Sequence, residues 1–195
     1  MAAGAGIDWR FETARVSGRL VGDGDIDLYV GLYADATVMR HIAETMSVSD
    51  AVAVFDKARK HNANPAVRAR YWHLSHQRTG QTLGLAALVR DAAVSTRGEL
   101  GLMLLPQAQR TGVGLQVLRR VIDGVLLQQW KLGMDEVIAR YAPENLDIHR
   151  LGEYLGFEKF DVDTPSGSLG WRMTASVWVS GLPEKHQAHT ITHSL

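Results

Sequence analysis

The chain of 195 residues contains no cysteine. That absence excludes disulfides, thiolate zinc sites and any mechanism in which the protein itself carries a thioester. Acyl or thiol chemistry must therefore draw its sulfur from a cofactor. Net charge is absent as well, with 21 Lys and Arg set against 21 Asp and Glu. Nonspecific nucleic-acid binding rests on clustered cationic charge that releases counterions, so no nucleic-acid partner is expected. No run is long and apolar enough to span a bilayer; residues 121–130 come nearest and Asp123 interrupts them. The first eight residues lack both a basic opening and a sustained apolar stretch, so neither a secretory signal nor a membrane anchor is expected. The expectation is a cytoplasmic protein with no membrane partner.

What is present is enough for one substantial core: 46% of the residues are hydrophobic, and the length suits one ordinary domain. The neutral total hides an uneven distribution. Residues 1–60 carry 7 basic and 9 acidic side chains, residues 61–110 carry 6 and 2, and residues 111–195 carry 8 and 10. The middle of the chain is its cationic part, which leaves room for a local anion site.

Periodicity outlines the elements. Residues 9–20 alternate bulky and charged side chains and predict a first strand, turned by Gly22-Asp23-Gly24-Asp25. Ile26, Tyr29, Val30 and Tyr33 recur at helical spacing with Asp25 near the start, and a second helix follows Ser47 or Ser49. Runs at 70–77, 82–90 and 98–105 predict an antiparallel meander. Residues 112–130 then form a strongly apolar helix with Gly133 near its end, followed by a strand at 135–141, a helix at 145–155 and closing strands at 157–162 and 169–179. A strand, a long helix and another strand imply one parallel crossover. The fold class is α/β in the α+β sense, a mixed and mostly antiparallel sheet flanked by helices, with residues 1–182 as the domain and 183–195 as a polar, disordered tail.

The segment Leu104-Leu105-Pro106-Gln107-Ala108-Gln109-Arg110-Thr111-Gly112-Val113-Gly114-Leu115 joins a strand end to the long helix. Its glycines permit a tight turn and close approach of a ligand, and the first helical amides have no intrahelical acceptor. Those N–H groups and the positive end of the helix dipole suit a pyrophosphate. The lysine-bearing Gly-x-x-x-x-Gly-Lys loop is missing, which removes support for an NTPase. Val117 stands where Gly-x-Gly-x-x-Gly needs its last glycine, which weakens a dinucleotide site.

The remaining pattern, Gln109-x-x-Gly112-x-Gly114, resembles the signature of the GNAT superfamily of N-acetyltransferases, Gln/Arg-x-x-Gly-x-Gly/Ala at a strand-to-helix junction. The flanks Phe11-Glu12-Thr13-Ala14-Arg15-Val16, Gly31 to Arg40, Glu99-Leu100-Gly101, Asn145 and Arg150-Leu151-Gly152-Glu153-Tyr154-Leu155-Gly156-Phe157 resemble the branch that acetylates ribosomal-protein N-termini, often called RimJ/RimL-like. The resemblance implies acetyl-coenzyme A as cosubstrate and an amine acceptor, with no metal; a homodimer is compatible with it. It implies that Gln109, Arg110, Thr111, Gly112, Val113, Gly114 and Leu115 hold the pyrophosphate. Leu102 to Leu104 would offer main-chain groups to the pantetheine arm and acetyl carbonyl, and Asn145 would bind on the pantetheine side.

Direct attack of an amine on the thioester suits a chain without cysteine. The amine must lose a proton and the leaving thiolate must be stabilised or protonated. Glu99 matches the acidic position that the superfamily uses as a water-relayed base, and His73 is a second candidate. The acid departs from the pattern: the position of the family's usual tyrosine is Gly152, and that of its serine is Ile148. Tyr154 is the substitute candidate, on a different helical face, with buried packing as its alternative. A catalytically silent acyl-coenzyme A binder and a transferase using another acyl donor stay open beside the N-acetyltransferase.

Other constellations carry less. His73 and His76 are separated by an odd number on a strand and point to opposite faces, so they do not share a metal. His186, His189 and His193 lie in the tail. Ser166 and Ser168 are not in a Gly-x-Ser-x-Gly elbow. Trp171 and Trp178, at odd separation in the closing strand, are expected to divide between the core and a cleft or subunit contact.

Overall fold

The computed structural model of the chain describes residues 7–64, 69–161 and 169–181. The alternating N-terminal stretch is a hairpin and not one strand: β1 (Phe11–Glu12) pairs antiparallel with β2 (Val16–Leu20). Thr13 makes the reversal, its amide donating to Val16 O at 2.8 Å and its hydroxyl accepting from Val16 N at 2.9 Å. Such local hydroxyl bonds turn a chain without interrupting the apolar alternation, so the pattern could not reveal the break.

Helix α1 (Ile26–Ala34) follows, but Asp25 makes no side-chain cap to it. Its carboxylate is 3% exposed and is bound by Arg19 and His73 instead. A short α2 (Ala36–Met39) is an addition to the sequence reading; Asp35 caps it by accepting from the Thr37 and Val38 amides. Helix α3 (Val48–Ala63) begins where Ser47 accepts from Asp50 N.

The meander is β3 (Ala69–His76), β4 (Thr82–Arg90) and β5 (Arg97–Leu104). Helix α4 (Val113–Leu126) crosses over to β6 (Glu136–Tyr141), which runs parallel to β5. The helix stops short of residue 130: Gln128 has φ +54°, and Trp130 folds back to stack on Trp72 with centroids 5.4 Å apart. Gly133 therefore lies in the connection to β6, not at the helix end. Helix α5 (Leu146–Leu155), β7 (Glu158–Asp161) and β8 (Leu169–Thr174) follow.

The closing run predicted as one strand over 169–179 changes form at Thr174, whose hydroxyl accepts from Val177 N and starts α6 (Ala175–Ser180). Trp178 is consequently helical and buried, its indole N–H donating to Asp123 Oδ1 at 2.8 Å, while Trp171 is buried on β8. Among the described residues both tryptophans belong to the interior, at 2% and 8% exposure, and do not divide between core and cleft. The boundary at 182, the tail histidines, Ser166 and Ser168 fall outside the described residues.

The eight strands form one sheet in the order β1-β2-β3-β4-β5-β6-β8-β7, with β5 and β6 its parallel pair. Strand alternation gives the sheet two different faces. On one, Trp72, Leu74, Leu100, Leu102, Leu104, Val137 and Met173 pack with Val113, Val117 and Val121 of α4 and Leu155 of α5. On the other, Tyr71, Leu85 and Met103 pack with Tyr29 and Leu32 of α1 and Phe55 of α3. Each fully buried aliphatic of α4 contributes about 1.5–3 kcal/mol, which anchors the helix whose first turn borders the site. Among the described residues, no helix is long and apolar enough to cross a membrane.

Candidate active site

The site begins with a pairing that stops early. Strands β5 and β6 are in register at Arg97/Glu136, Gly98/Val137 and Glu99/Ile138, and no further. Yet β5 continues to Leu104 and β6 to Tyr141. Beyond Glu99 and Ile138 the two strands diverge, and the edge of β5 that faces β6 runs on from Leu100 to Leu104 without a strand partner among the described residues. Backbone amides and carbonyls on such an edge are ready to pair with an extended ligand.

At the wide end of the divergence the chain turns through a 3-10 segment, Pro106–Ala108, and enters α4. Gly112 is the residue before the helix, with φ +81° and open space where a Cβ would stand. The positive φ favours glycine, and the open space leaves the surface of the turn accessible. The first intrahelical donor is Gln116 N, to Gly112 O at 3.4 Å. The amides of Val113, Gly114 and Leu115 precede it and point out of the helix start. A Cβ on Gly114 would meet Leu102 Cδ2 at 3.2 Å and Leu104 Cδ1 at 3.5 Å, so the helix start sits directly on the unpartnered part of β5.

Side chains brace the loop. Gln109 Nε2 donates to Leu104 O at 3.0 Å, and Thr111 Oγ1 donates to Ala108 O at 2.7 Å. Arg110, at φ +58°, reaches across the divergence to Asp147 in the first turn of α5, Nε to Oδ2 2.9 Å. Three residues that sequence reasoning missed complete the frame. Thr13 Oγ1 and Arg15 N donate to Gln116 Oε1 at 2.9 and 3.1 Å, and Arg15 donates to Thr111 O at 2.7 Å. Arg15 thus places a second cation beside the glycine loop. About a hundred residues separate these partners, so no local motif could have joined them.

Asn145 stands at the start of α5, where its carboxamide oxygen accepts from Ile148 N at 3.3 Å. Its side chain therefore caps α5, the helix that the glycine loop reaches through Arg110 and Asp147. Glu99 lies at the point where the strands part, on the face opposite α4 and α5, and its carboxylate is ion-paired with Arg140 of β6. Along this face Arg97 pairs with Glu136, and Arg172 with Glu158 at 3.1 Å.

The other candidates are dispersed. His73 belongs to a network on β3: Nδ1 is 2.7 Å from Asp25 Oδ1, Nε2 is 3.3 Å from Thr82 Oγ1, and Arg19 holds both Asp25 oxygens at 2.7 Å. Burial alone would raise the Asp25 pKa, but the Arg19 guanidinium, the Gly22 amide and His73 outweigh it and hold the carboxyl well below the usual carboxylate range. His76 turns away and accepts from the Arg78 and Thr79 amides. Tyr154 is 66% exposed, with Arg119 of α4 over its ring at 5.6 Å, which corrects the alternative of buried packing. Among the described residues, no cluster of three or more His, Asp or Glu could hold a metal.

The chain matches the family model of the acetyltransferase (GNAT) domain over residues 15–158. No curated protein matches its sequence. Solved structures share the fold at low identity. The spermidine N-acetyltransferase from Vibrio cholerae, in complex with CoA and spermine, is 15% identical, with a TM-score of 0.69 over 86% of this chain and 99% of that one. A protein from Vibrio cholerae described as a ribosomal-protein-serine acetyltransferase is 17% identical, with a TM-score of 0.69 over 87% and 99%. Apo FdhC, a nucleotide-linked sugar GNAT, is 14% identical, with a TM-score of 0.72 over 94% and 98%. The glycine loop, the parallel crossover and the diverging strands all lie within the span the family model matches, and the chain belongs to the GNAT acetyltransferases, an acyltransferase family.

Proposed function

We propose that the chain transfers an acetyl group from acetyl-coenzyme A to a primary amine, by direct attack in a ternary complex. The observation that carries this reading is one junction: an unpartnered strand edge, Leu100 to Leu104, leads into a glycine turn whose helical amides point outward. An extended, amide-bearing arm with a pyrophosphate at one end fits both features. The amides of Val113 to Leu115 and the turn at Gly112 would hold the pyrophosphate, with Gln109 and Thr111 keeping the loop in shape and Arg110 and Arg15 adding charge. The main chain of Leu102 to Leu104 would hold the arm, with Asn145 across the divergence. The cosubstrate supplies the acyl group and the thiol that the chain lacks.

Glu99 is the carboxylate at the parting of the strands, and we assign it the amine proton, taken through water. Its pairing with Arg140 fixes its position, so an approaching ammonium would meet a neutral pair and not an isolated anion. The flanking motifs support a protein N-terminus as the first acceptor to test, in the ribosomal-protein branch.

The test is free-thiol release from acetyl-coenzyme A with a panel of ribosomal-protein N-terminal peptides, small metabolite amines and amino-bearing antibiotics, beside calorimetric titration of coenzyme A. Saturable binding with amine-dependent release is expected. Binding without release across the panel would favour a silent acyl-coenzyme A binder.

A further inference from the structure

A chain of three side chains beside the diverging strands has no part in the reading so far. Tyr141 is the last residue of β6, three past the last one paired with β5. Its hydroxyl oxygen is 3.0 Å from His149 Nδ1, and His149 Nε2 is 3.2 Å from Glu153 Oε1. Exposure rises along the chain, from 5% at Tyr141 to 26% at His149 and 54% at Glu153. The path thus leads from the interior to bulk water.

The two rings are held in place. Tyr141 stacks on Trp171 with centroids 5.8 Å apart and an interplanar angle of 11°, and His149 packs on the same indole at 5.4 Å. Burial, with the Glu153 charge second, raises the Tyr141 pKa, so the phenol keeps its proton. The groups around His149 are Tyr141 from β6, Glu153 from its own helix, and Lys159 of β7, whose Nζ is 3.6 Å from the same Glu153 oxygen; Trp171 from β8 does not titrate.

Strand alternation supplies the chemical sense. Arg140 lies on the face with Glu99, so Tyr141, the next residue, lies on the face with α5. A base and a proton donor therefore flank the diverging strands on opposite sides. An acyl transfer needs both, one for the amine and one for the leaving thiolate.

Resting on the acyltransferase reading, we propose that Tyr141 is the proton donor to the departing sulfur, and that His149 and Glu153 form the wire that restores its proton from solvent. The amine nitrogen attacks the carbonyl carbon; the C–N bond forms, the C–S bond breaks, and its electron pair goes to sulfur. The sulfur takes the Tyr141 hydroxyl proton. His149 passes its Nδ1 proton to the phenolate oxygen while its Nε2 stays on Glu153. Water then reprotonates His149, and the proton lost by the amine leaves through Glu99, so the count closes. Tyr141 is the catalytic residue; His149 and Glu153 act through it.

The test uses the full chain and steady-state thiol release across pH, with coenzyme A affinity and melting temperature measured alongside. Tyr141→Phe keeps the stacked ring and removes only the hydroxyl; kcat is expected to fall about 10²-fold or more, with affinity and melting temperature unchanged. His149→Gln is expected to lower kcat and to remove the alkaline limb of the kcat profile, and Glu153→Gln to move that limb to lower pH. If Tyr141→Phe does not fold, the His149→Gln profile decides. A kcat within two-fold of wild type in Tyr141→Phe, or an unchanged limb in His149→Gln, overturns the relay and leaves the acyltransferase reading standing. A wild-type chain that neither binds coenzyme A nor releases thiol overturns that reading, and the relay with it.

Discussion

Gly152 of α5 and the indole of Trp171 on β8 are so close that a Cβ on the glycine would stand 2.4 Å from both Cε2 and Nε1 of the ring. The tryptophan fills the room beside the helix position where the resemblance led to the expectation of a tyrosine. The missing side chain is thus the condition for packing Trp171, which in turn carries the rings of Tyr141 and His149. Gly152→Ala is expected to destabilise the fold by about 1–3 kcal/mol, since a buried indole cannot yield without strain. Replacing Trp171 by Leu in the same background should recover part of that loss. Chemical denaturation of the two single variants and the double variant measures it; strictly additive losses would contradict a direct clash.

The glycine turn predicts a loss of binding without a loss of fold. Gly112→Asp places a carboxylate on a positive-φ turn next to outward-facing amides, where it competes with and repels a pyrophosphate. Coenzyme A affinity should fall about ten-fold or more, a change of about 1.4 kcal/mol. The turn is solvent-facing, so the melting temperature should drop only by the cost of the backbone strain. Calorimetric titration beside thermal melting separates the two, and retained affinity would contradict the phosphate placement.

The Arg110–Asp147 pair predicts an opposite pair of effects. The pair is exposed, so its own contribution to stability is about 0–1 kcal/mol. Asp147→Asn frees the guanidinium and should hold or tighten coenzyme A binding, with a steeper dependence on salt. Arg110→Ala should weaken binding and flatten that dependence. Affinity measured at two ionic strengths checks both; equal salt slopes in the two variants would remove Arg110 from the cofactor contact.

Asp25 predicts a pH-dependent stability. Its folded pKa is depressed, so its contribution is present above the unfolded value of about 3.9 and is lost as pH falls toward the folded one. Asp25→Asn should cost about 1.5–3 kcal/mol near neutrality, through lost charge-assisted bonds to Arg19 and Gly22 N. Below about pH 4 the gap between wild type and variant should shrink. Denaturation at pH 6 and pH 3 compares them; a constant gap would exclude the linkage.

The Glu99 face predicts a poor response to polyamines, although a structural relative was solved with spermine. Glu99, Glu136 and Glu158 are each matched by an arginine, so the face offers a polycation little net attraction. Spermidine should release thiol more slowly than a peptide N-terminus in the same assay. Arg140→Gln should narrow the difference.

The elements with a strong period were legible from the sequence: the meander, the crossover helix and Gln109-x-x-Gly112-x-Gly114 at its start. The misses share a physical cause. Thr13, Gln128 and Thr174 each change the chain's course by a backbone dihedral or a hydroxyl bond, without disturbing the apolar pattern on which the reading relied. Asp25 had the position of a cap, but Arg19 and His73 compete for it from neighbouring strands.

The sequence by itself determined the chemistry the chain lacks and the place where a polyanion could bind. No cysteine means no thiol of its own, and two glycines at the start of an apolar helix mean outward amides; both are local properties of the residue types. Only the tertiary structure decided what faces what. The early end of the β5–β6 pairing, Arg15 against Thr111, Arg140 against Glu99 and Tyr141 against His149 all join residues that alternation, helical turn or long separation brings together. A side chain's partner is set by the sheet's register and by which helix covers which face, and neither is encoded in a short window of sequence.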